Sequence, residues 1–359
     1  MPSFMKDLKV IELASVLAGP SVGMFFAELG ASVVKIENKT TGGDVTRQWK
    51  LPSENPEAPQ SAYWCSVNWG KKILLKDLND AADRQEVLDL IRDADVLISN
   101  FRGAAAARLG MDPDSLRKMN TRLVVGCITG FPEGDPRPAY DVVLQAEAGF
   151  LYMNGEPGRQ PVKMPVALID LLAAHQLKEG ILLALWERER SGKGATVSVS
   201  LLEAAIASLA NQATNWLMAG HIPSRMGNLH PNIAPYGEIF HCADDCELVL
   251  AVGNDKQFAL LCEVLGLPHL ATDERFATNQ ARLQHRQALM AALTPAFRQC
   301  HSHQLLDRLV EAGVPAARIR NMAQVFEMPV AKQMILEDEL PDGSVGRRVR
   351  TVAFFREEG

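Results

Sequence analysis

The chain has 359 residues, of which 47% are hydrophobic and 22% are charged, and its formal net charge is −6. These proportions are typical of a globular protein and exclude a disordered chain. The net negative charge gives no general attraction to nucleic acid or to an anionic membrane, so we expect neither as a partner. Because one hydrophobic core rarely extends beyond about 300 residues, two domains are expected.

The chain shows no segment that would take it into or across a membrane. No apolar stretch approaches the roughly 20 residues that span a bilayer, and the first residues lack the apolar region of a signal peptide. Six cysteines are scattered over the chain, which is typical of reduced thiols and not of a disulfide framework. The sequence therefore predicts a cytoplasmic protein.

The first forty residues alternate between strand and helix patterns. Residues 8–13 form a β-rich run, residues 21–29 have a helical pattern that Gly30 closes, and residues 32–37 form a second β-rich run. This spacing predicts a βαβ unit with parallel strands.

The same alternation recurs further along the chain. Strands are predicted at 73–78, 95–100 and 123–129, with a helix at 80–92. Strands that alternate with helices indicate an α/β fold with a doubly wound, Rossmann-like parallel sheet. The connection at 38–68 is long for this fold, so we expect it to border a functional site.

The texture of the sequence changes after Pro223. Before it, the patterns predict a helix at 171–190, a strand at 195–200 and one long helix at 201–219. After it, they predict strands at 236–240 and 246–252, helices at 256–265, 284–298 and 303–312, and a last strand at 350–355. Paired strands followed by clustered helices indicate a separate α+β domain. We therefore assign 1–221, joined by 326–359, to a large domain and 222–325 to a small one.

A loop of small residues at 14–20, which contains Val16 and Ala18, follows the first strand and precedes a helix. This is the place where a doubly wound sheet binds its ligand. The loop lacks the G-x-G-x-x-G pattern, although Glu37 stands where the acidic residue of a nicotinamide site would follow the second strand. A tight turn that lets the helix pack on the sheet is the alternative, and from this segment alone it is favoured.

Three residues end a predicted buried strand at the same edge of the sheet, namely Asn100, Phe101 and Arg102. An arginine there can bind a phosphate through two hydrogen bonds, and Phe101 offers a flat face to a base or a pantetheine arm. Lys71 and Lys72 follow a turn and could meet a polyphosphate. Solvated surface residues are the alternative interpretation of both groups.

No metal site is predicted. The segment 241–246 contains a histidine and two cysteines, but it lacks a second ligand pair at zinc spacing and is more typical of a hairpin turn. The sequence contains neither a P-loop nor a G-x-S-x-G motif, which excludes the common NTPase and hydrolase classes.

Asp170 is the most informative polar residue, because it lies within an apolar stretch where carboxylates are rare. One interpretation is an N-cap for a helix that starts at Leu171. The other is a carboxylate nucleophile whose anion the helix N-terminus stabilises. The two roles are compatible.

Short motifs over nearly the whole chain, in a specific order, carry a family resemblance. They are LKVIEL at 8–13 with AGP at 18–20, LGA at 29–31 with VKIE at 34–37, NWGKK at 68–72, DVLISNFR at 95–102, RPAYD at 137–141, QA at 145–146, the Asp170 helix ending ERERSGKG at 187–194, and HPNIAPY at 230–236. Together they resemble the class III CoA-transferase family, which includes carnitine, formyl/oxalate and other dicarboxylate CoA-transferases and the α-methylacyl-CoA racemases.

The resemblance implies a specific activity and site. Asp170 would be the catalytic aspartate that attacks an acyl-CoA thioester, and backbone N–H groups near its helix start would stabilise the oxyanions. Coenzyme A and a small carboxylic acid would be substrates, with no tightly bound cofactor. The candidates for holding CoA are Val16, Ala18, Lys71, Lys72, Asn100, Phe101, Arg102, Arg108, Arg137 and Tyr140. The resemblance also implies an interlocked homodimer.

The racemase branch of the family is the nearest alternative. Racemases carry a histidine immediately before the aspartate that is Asp141 here, so that the histidine and a second acid can exchange the α-proton. Tyr140 occupies that position, which favours a transferase. A nicotinamide dehydrogenase is a more distant alternative, and a non-catalytic CoA-binding relative is another.

Overall fold

The computed structural model describes residues 4–101, 103–340 and 343–354. The chain divides into two compact units. One comprises the chain up to Leu151, Lys163–Ile222 and the chain from Val330 onward, and the other comprises Tyr152–Val162 and Pro223–Pro329. The segment Tyr152–Val162 thus groups with the second unit, whereas the sequence analysis placed it in the large domain. The domain boundaries stay a prediction.

The first unit contains a six-stranded sheet in which every neighbouring pair is parallel. Its strands are β1 (Lys9–Leu13), β2 (Ser32–Asn38), β3 (Lys71–Lys76), β4 (Val96–Ser99), β5 (Val124–Thr129) and β6 (Thr196–Ser200). Their order in the sheet is β3-β2-β1-β4-β5-β6. The order reverses direction between β1 and β4, so the predicted doubly wound α/β fold is confirmed.

Ten helices precede Pro223 in the described part of the chain. They are α1 (Ala18–Glu28), α2 (Ala62–Cys65), α3 (Ala81–Arg92), α4 (Gly103–Arg108), α5 (Pro113–Met119), α6 (Asp141–Glu147), α7 (Phe150–Met153), α8 (Leu168–Ser191), α9 (Leu201–Ala207) and α10 (Ala210–Ala219). The 38–68 connection also holds two 3-10 turns, Lys39–Thr41 and Val45–Gln48.

Alternate side chains of the sheet enter two separate hydrophobic clusters. Val10 of β1 packs with Phe26 of α1 and Leu177 of α8, whereas its neighbour Ile11 packs with Ile91 of α3 on the opposite face. This alternation is what the period of two residues in a strand requires. Helices therefore cover both faces, and the carboxyl ends of the strands remain as the place for a site.

Local capping determines where several of these helices begin and end. The Asp80 carboxylate accepts hydrogen bonds from the N–H groups of Ala82 and Asp83 at the start of α3. Gly192 ends α8 in the left-handed conformation, with φ of 70°, which a glycine adopts at little cost.

Two helix predictions need correction. Helix α8 begins at Leu168 and not at Leu171, so Asp170 lies in its first turn and is not its N-cap. The single helix predicted at 201–219 is broken into α9 and α10. Ala210 has a left-handed φ of 48°, which a continuous right-handed helix does not allow.

The second unit is built on a three-stranded antiparallel sheet with helices. The strands are β7 (Tyr236–His241), β8 (Glu247–Ala251) and β9 (Ala316–Arg318). The helices are α11 (Asp255–Val264), α12 (His269–Thr272), α13 (Asn279–Gln284), α14 (Arg286–Arg298), α15 (Ser302–Glu311) and α16 (Met322–Glu327). A cluster of apolar side chains that includes Phe240, Phe258 and Phe297 forms its core.

The last described elements are α17 (Pro329–Gln333) and the antiparallel pair β10 (Ile335–Glu339) and β11 (Val345–Val349). The prediction of a strand at 350–355 is wrong for its described residues, which contain no strand. The N–H groups of Thr351 and Val352 instead donate to the Glu28 carboxylate at distances of 2.8–3.0 Å. The Glu28 side chain thus accepts the backbone hydrogen bonds that a neighbouring strand would otherwise accept.

Within the described ranges, none of the helices combines the length and the apolar character needed to cross a membrane.

Candidate active site

Asp170 lies in the first turn of α8, and its side chain is buried. Burial raises the pKa of Asp170 to about 7, and the negative charge of Asp141 adds to this shift. A carboxyl group with this pKa is substantially ionised at neutral pH, yet little water surrounds it. That combination suits a nucleophile, because desolvation raises the reactivity of an anion.

Asp141 binds the beginning of the same helix. Its Oδ1 accepts hydrogen bonds from the N–H groups of Ile169 at 2.7 Å and Asp170 at 3.3 Å. Gln145 donates to Asp141 Oδ2 and accepts a hydrogen bond from the Met164 N–H. An anion at this position stabilises the positive end of the helix dipole. Asp141 therefore fixes the backbone that carries Asp170.

These bonds correct the expectation about oxyanion stabilisation. The N–H groups of Ile169 and Asp170 are taken by Asp141, and the Leu171 N–H donates to the Ala167 carbonyl oxygen. These three donors at the start of α8 are thus already engaged and do not point freely at a reacting carbonyl.

Tyr63, on α2 within the 38–68 connection, is a site residue that the sequence analysis did not identify. Burial, together with the smaller effect of the negative charges of Asp170, Asp141 and Asp44, raises the pKa of Tyr63 to about 12. The phenol therefore stays protonated and lies within electrostatic reach of both site carboxylates. The only sequence signal for it was the length of the connection, from which a functional role beside the site was expected.

The loop between β1 and α1 approaches the start of α8. Val16 and Tyr63 pack in one apolar cluster with Ala167 and Leu171, the residues on either side of the first turn that holds Asp170. Val16 has a left-handed φ of 72°, which is strained for a β-branched residue. Ala18 begins α1 and is buried.

Asn100 joins this loop to the end of β4. Its Nδ2 donates to the Ser15 carbonyl oxygen at 3.1 Å, and its Oδ1 accepts from the Ser15 N–H at 3.4 Å. The fold thus brings together Asn100, Val16 and Ala18 at the carboxyl edge of the sheet. Phe101 is half-buried and packs against the cluster under α3 and α5, and Arg102 lies outside the described residues.

The prediction that Lys71 could meet a polyphosphate needs correction. Its ammonium has no exposed surface and forms an ion pair of 2.7 Å with Glu12, and it donates to the carbonyl oxygen of Pro20 at 2.8 Å. Burial lowers its pKa to about 8. A phosphate cannot reach this group in the described fold, so Lys71 belongs to the interior of the unit. Lys72, the next residue on β3, is exposed.

The three remaining candidates lie on the surface. Arg108 is exposed at the end of α4, and Tyr140, 58% exposed, immediately precedes α6. The Arg137 guanidinium is half exposed, forms ion pairs with Asp135 and Glu147, and stacks on the ring of Phe131 at 3.9 Å. The role of these three residues in CoA binding stays a prediction.

Among the described residues, no cluster of three or more histidine, cysteine, aspartate or glutamate side chains is arranged to hold a metal ion. The site is made of two carboxylates, a phenol and a strained backbone turn. Such an arrangement can carry out acyl transfer through a carboxylate nucleophile.

Comparison with known proteins identifies the family. The model of "CoA-transferase family III" matches residues 5–358. The chain belongs to CoA-transferase family III. This confirms the class III resemblance and the prediction that the protein is a CoA-transferase.

Several known proteins are similar to this chain over almost its full length. A succinate–glutarate CoA-transferase of Agrobacterium fabrum is 39% identical over 355 residues, which cover 97% of this chain and 88% of the relative. An acetyl-CoA:oxalate CoA-transferase of Acetobacter aceti is 36% identical and covers 92% and 85% of the two chains. A crystal structure of a CAIB/BAIF family protein from Brucella suis is 38% identical, with a TM-score of 0.85 and coverage of 99% and 93%.

Proposed function

We propose that this enzyme moves CoA from an acyl-CoA donor to a small dicarboxylic acid, with Asp170 as the covalent nucleophile. The observation that carries the proposal is the position of Asp170. It is a buried carboxylate in the first turn of α8, with a pKa raised to about 7 and a helix start fixed by Asp141. Among the site residues that the family resemblance implies, Asp170 is the one whose environment suits covalent catalysis.

The reaction would proceed in two halves. The Asp170 carboxylate attacks the thioester carbonyl carbon, the C–S bond breaks, and a mixed anhydride and CoA thiolate form. The thiolate then attacks the Asp170 carbonyl carbon of the anhydride, which releases the donor acid as a carboxylate and leaves an aspartyl-CoA thioester. The acceptor carboxylate repeats these steps in reverse, so that Asp170 is regenerated as an anion and no net proton is consumed.

The neighbours of Asp170 would assist in distinct ways. Asp141 holds the first turn of α8 so that the carboxylate does not move between the two halves. The protonated Tyr63 phenol is a hydrogen-bond donor within electrostatic reach of both carboxylates, and it would suit a developing oxyanion or the acceptor carboxylate. The edge formed by Val16 and Asn100 would hold part of the CoA substrate, near the start of α1.

The names of the relatives support a dicarboxylic acid as acceptor. Relatives that are 30–39% identical act, by their names, on succinate and glutarate, on oxalate and on mesaconate. A panel of these four acids with succinyl-CoA or acetyl-CoA as donor tests this part of the proposal. Acetate serves as a monocarboxylate control, and transfer to acetate at the same rate as to every diacid would contradict it.

A homodimer in the cytoplasm completes the proposal. Large apolar side chains are exposed on α8 and α10 of the described chain, namely Leu183, Trp186, Trp216, Leu217 and Met218. Exposed apolar surface of this kind is typical of a protein interface.

The racemase alternative is less favoured, because the exposed Tyr140 has no basic group at the position where racemases use a histidine. Incubation of an acyl-CoA in D₂O without an acceptor acid separates the two activities. A racemase would exchange the α-proton of the acyl group for deuterium, whereas the transferase mechanism proposed here leaves the α-proton in place. A non-catalytic CoA-binding relative would bind CoA without forming any adduct.

The Asp170→Asn variant tests the mechanism directly. We expect transfer to be lost and CoA binding, measured by calorimetry, to be retained, since an amide does not attack a thioester. Intact-protein mass spectrometry of the wild type with donor alone should show a CoA adduct on the peptide that contains Asp170. Wild-type turnover by the variant, or an adduct on another peptide, would refute the role of Asp170.

A further inference from the structure

Four charged side chains form a buried, electrically neutral cluster beneath the loop that precedes α1. Glu12 of β1 pairs with Lys35 of β2 at 3.3 Å and with Lys71 of β3 at 2.7 Å, and Lys35 also pairs with Asp44 at 2.8 Å. All four side chains have no exposed surface. Because β1, β2 and β3 are adjacent, the cluster ties three strands to the 38–68 connection.

Asp44 connects this cluster to the strained backbone of Val16. The Asp44 carboxylate accepts from the Val16 N–H at 3.2 Å and 3.4 Å, besides its bonds to Lys35 and to the backbone and hydroxyl of Thr46. Val16 has a φ of 72°. A β-branched residue keeps such a conformation only where its surroundings impose it. Asp44 supplies that constraint from a position that Lys35 holds in place.

Stability alone does not explain why this cluster is ionic. Replacing a buried ion pair by apolar side chains of similar volume often leaves stability equal or higher. A carboxylate that accepts a hydrogen bond from the Val16 N–H has a different use. Val16 packs on the same apolar cluster of Leu17, Met24 and Val67 as Ala167 and Leu171, which flank the helix turn of Asp170. The conformation that Asp44 imposes is therefore transmitted to the surroundings of the nucleophile.

We propose that Asp44 is a positioning residue for acyl transfer, and that the Lys35–Asp44 pair holds the strained Val16 turn in the shape that presents the thioester to Asp170. The inference rests on the proposed role of Asp170. Asp44 acts through Val16 and does not touch the reacting atoms.

The test measures kcat/KM for the acyl-CoA donor in Asp44→Asn, with and without Val16→Gly. Glycine reaches a left-handed φ without strain, so it no longer needs the constraint. We expect Asp44→Asn to lower kcat/KM by about tenfold or more, the loss that the strain of one such residue corresponds to. Val16→Gly is itself expected to lower kcat/KM, because Val16 lines the site. In the Val16→Gly background, however, the additional loss from Asp44→Asn should shrink at least several-fold.

Asp95→Asn is the matched control. Asp95 also pairs with a buried cation, Arg188 at 3.0 Å, and accepts from the Lys9 N–H at 2.9 Å. It precedes β4 and so lies at the opposite, amino edge of the same sheet. Asp95→Asn should lower the melting temperature while kcat/KM stays near wild type. If Asp44→Asn does not fold, Thr46→Val replaces it, because this change removes one donor to Asp44 and keeps the charge.

The outcomes are distinguishable. Equal losses from the Asp44 or Thr46 variant in the two Val16 backgrounds, or a loss from Asp95→Asn as large as that from Asp44→Asn, would overturn the positioning role alone. A wild-type protein that forms no adduct and transfers no CoA would overturn the proposed function, and this inference with it.

Discussion

Removing the charge of Asp170 should stabilise the folded protein, and the gain should depend on pH. The side chain is buried beside a second carboxylate, and its pKa is raised from 3.8 to about 7. As the pH rises, the unfolded chain loses this proton before the folded chain does. A raised carboxyl pKa therefore costs folding stability, and the cost grows between pH 4 and pH 7.

The size of the effect follows from the shift. Each pKa unit corresponds to about 1.4 kcal/mol. The shift of Asp170 from 3.8 to about 7 costs the wild type about 4 kcal/mol at pH 8, about 2 kcal/mol at pH 5 and about 0.6 kcal/mol at pH 4. Asparagine has nearly the same shape and no charge, so Asp170→Asn should regain these amounts. For the first compact unit, this gain corresponds to a melting temperature of Asp170→Asn about 8 °C above that of the wild type at pH 8.

Thermal unfolding of wild type and Asp170→Asn between pH 4 and pH 8 measures the difference. Asp112→Asn is the control. Asp112 caps α5 by accepting from the Ser115 N–H at 3.0 Å, and this hydrogen bond lowers the pKa of Asp112. Its contribution is therefore lost only as the pH falls through the acidic range. Asparagine is almost as good an N-cap as aspartate, so Asp112→Asn should change stability only slightly and by an amount that stays constant from pH 6 to pH 8. A gain for Asp170→Asn that does not grow with pH would refute the reasoning.

Two further predictions concern activity and the chain terminus. In the proposed mechanism Asp170 must be ionised to attack, so single-turnover adduct formation should rise with pH through about 7 and then level off. A rate that is flat from pH 5 to pH 8 would contradict the pKa. Glu28→Gln should free the backbone of Thr351 and Val352, which donates to the Glu28 carboxylate. Lost charge-assisted hydrogen bonds should lower stability by about 1 to 3 kcal/mol, and hydrogen exchange at both amides should speed up, whereas unchanged protection would show that the tail is held by other contacts.

The sequence predicted the parallel sheet well because its strands and helices carry clear periodic patterns. Predicted strands such as 32–37 and 123–129 differ from β2 and β5 by a single residue. The errors occurred where one contact overrides propensity. The β-rich run after residue 350 is held by the Glu28 carboxylate and not by a strand, and the helical pattern of 201–219 is interrupted at Ala210 by one left-handed residue.

The site could be predicted in part. Asp170 could be singled out as a candidate because a lone acid in an apolar run is rare, and Asn100 and the 14–20 loop because the fold places them at the carboxyl edge. Their roles stay predictions. Lys71 was misassigned, since adjacent lysines give no sign that one side chain turns inward to a glutamate 59 positions earlier in the sequence. The hydrogen bond of Asp44 to Val16 and the electrostatic interaction of Tyr63 with Asp170 join positions that are distant in sequence, which no local pattern encodes.

The negative charge of Asp141 is not needed for folding, but it favours the proposed catalysis. A neutral asparagine or serine satisfies N–H groups at a helix start almost as well as an aspartate. A second carboxylate instead raises the pKa of Asp170 further and so makes its anion more basic. Nucleophilicity rises with basicity, while the fraction of anion falls only once the pKa exceeds the working pH. A value of about 7 lies at that balance, so a like charge beside Asp170 suits the nucleophile that we propose although it costs stability.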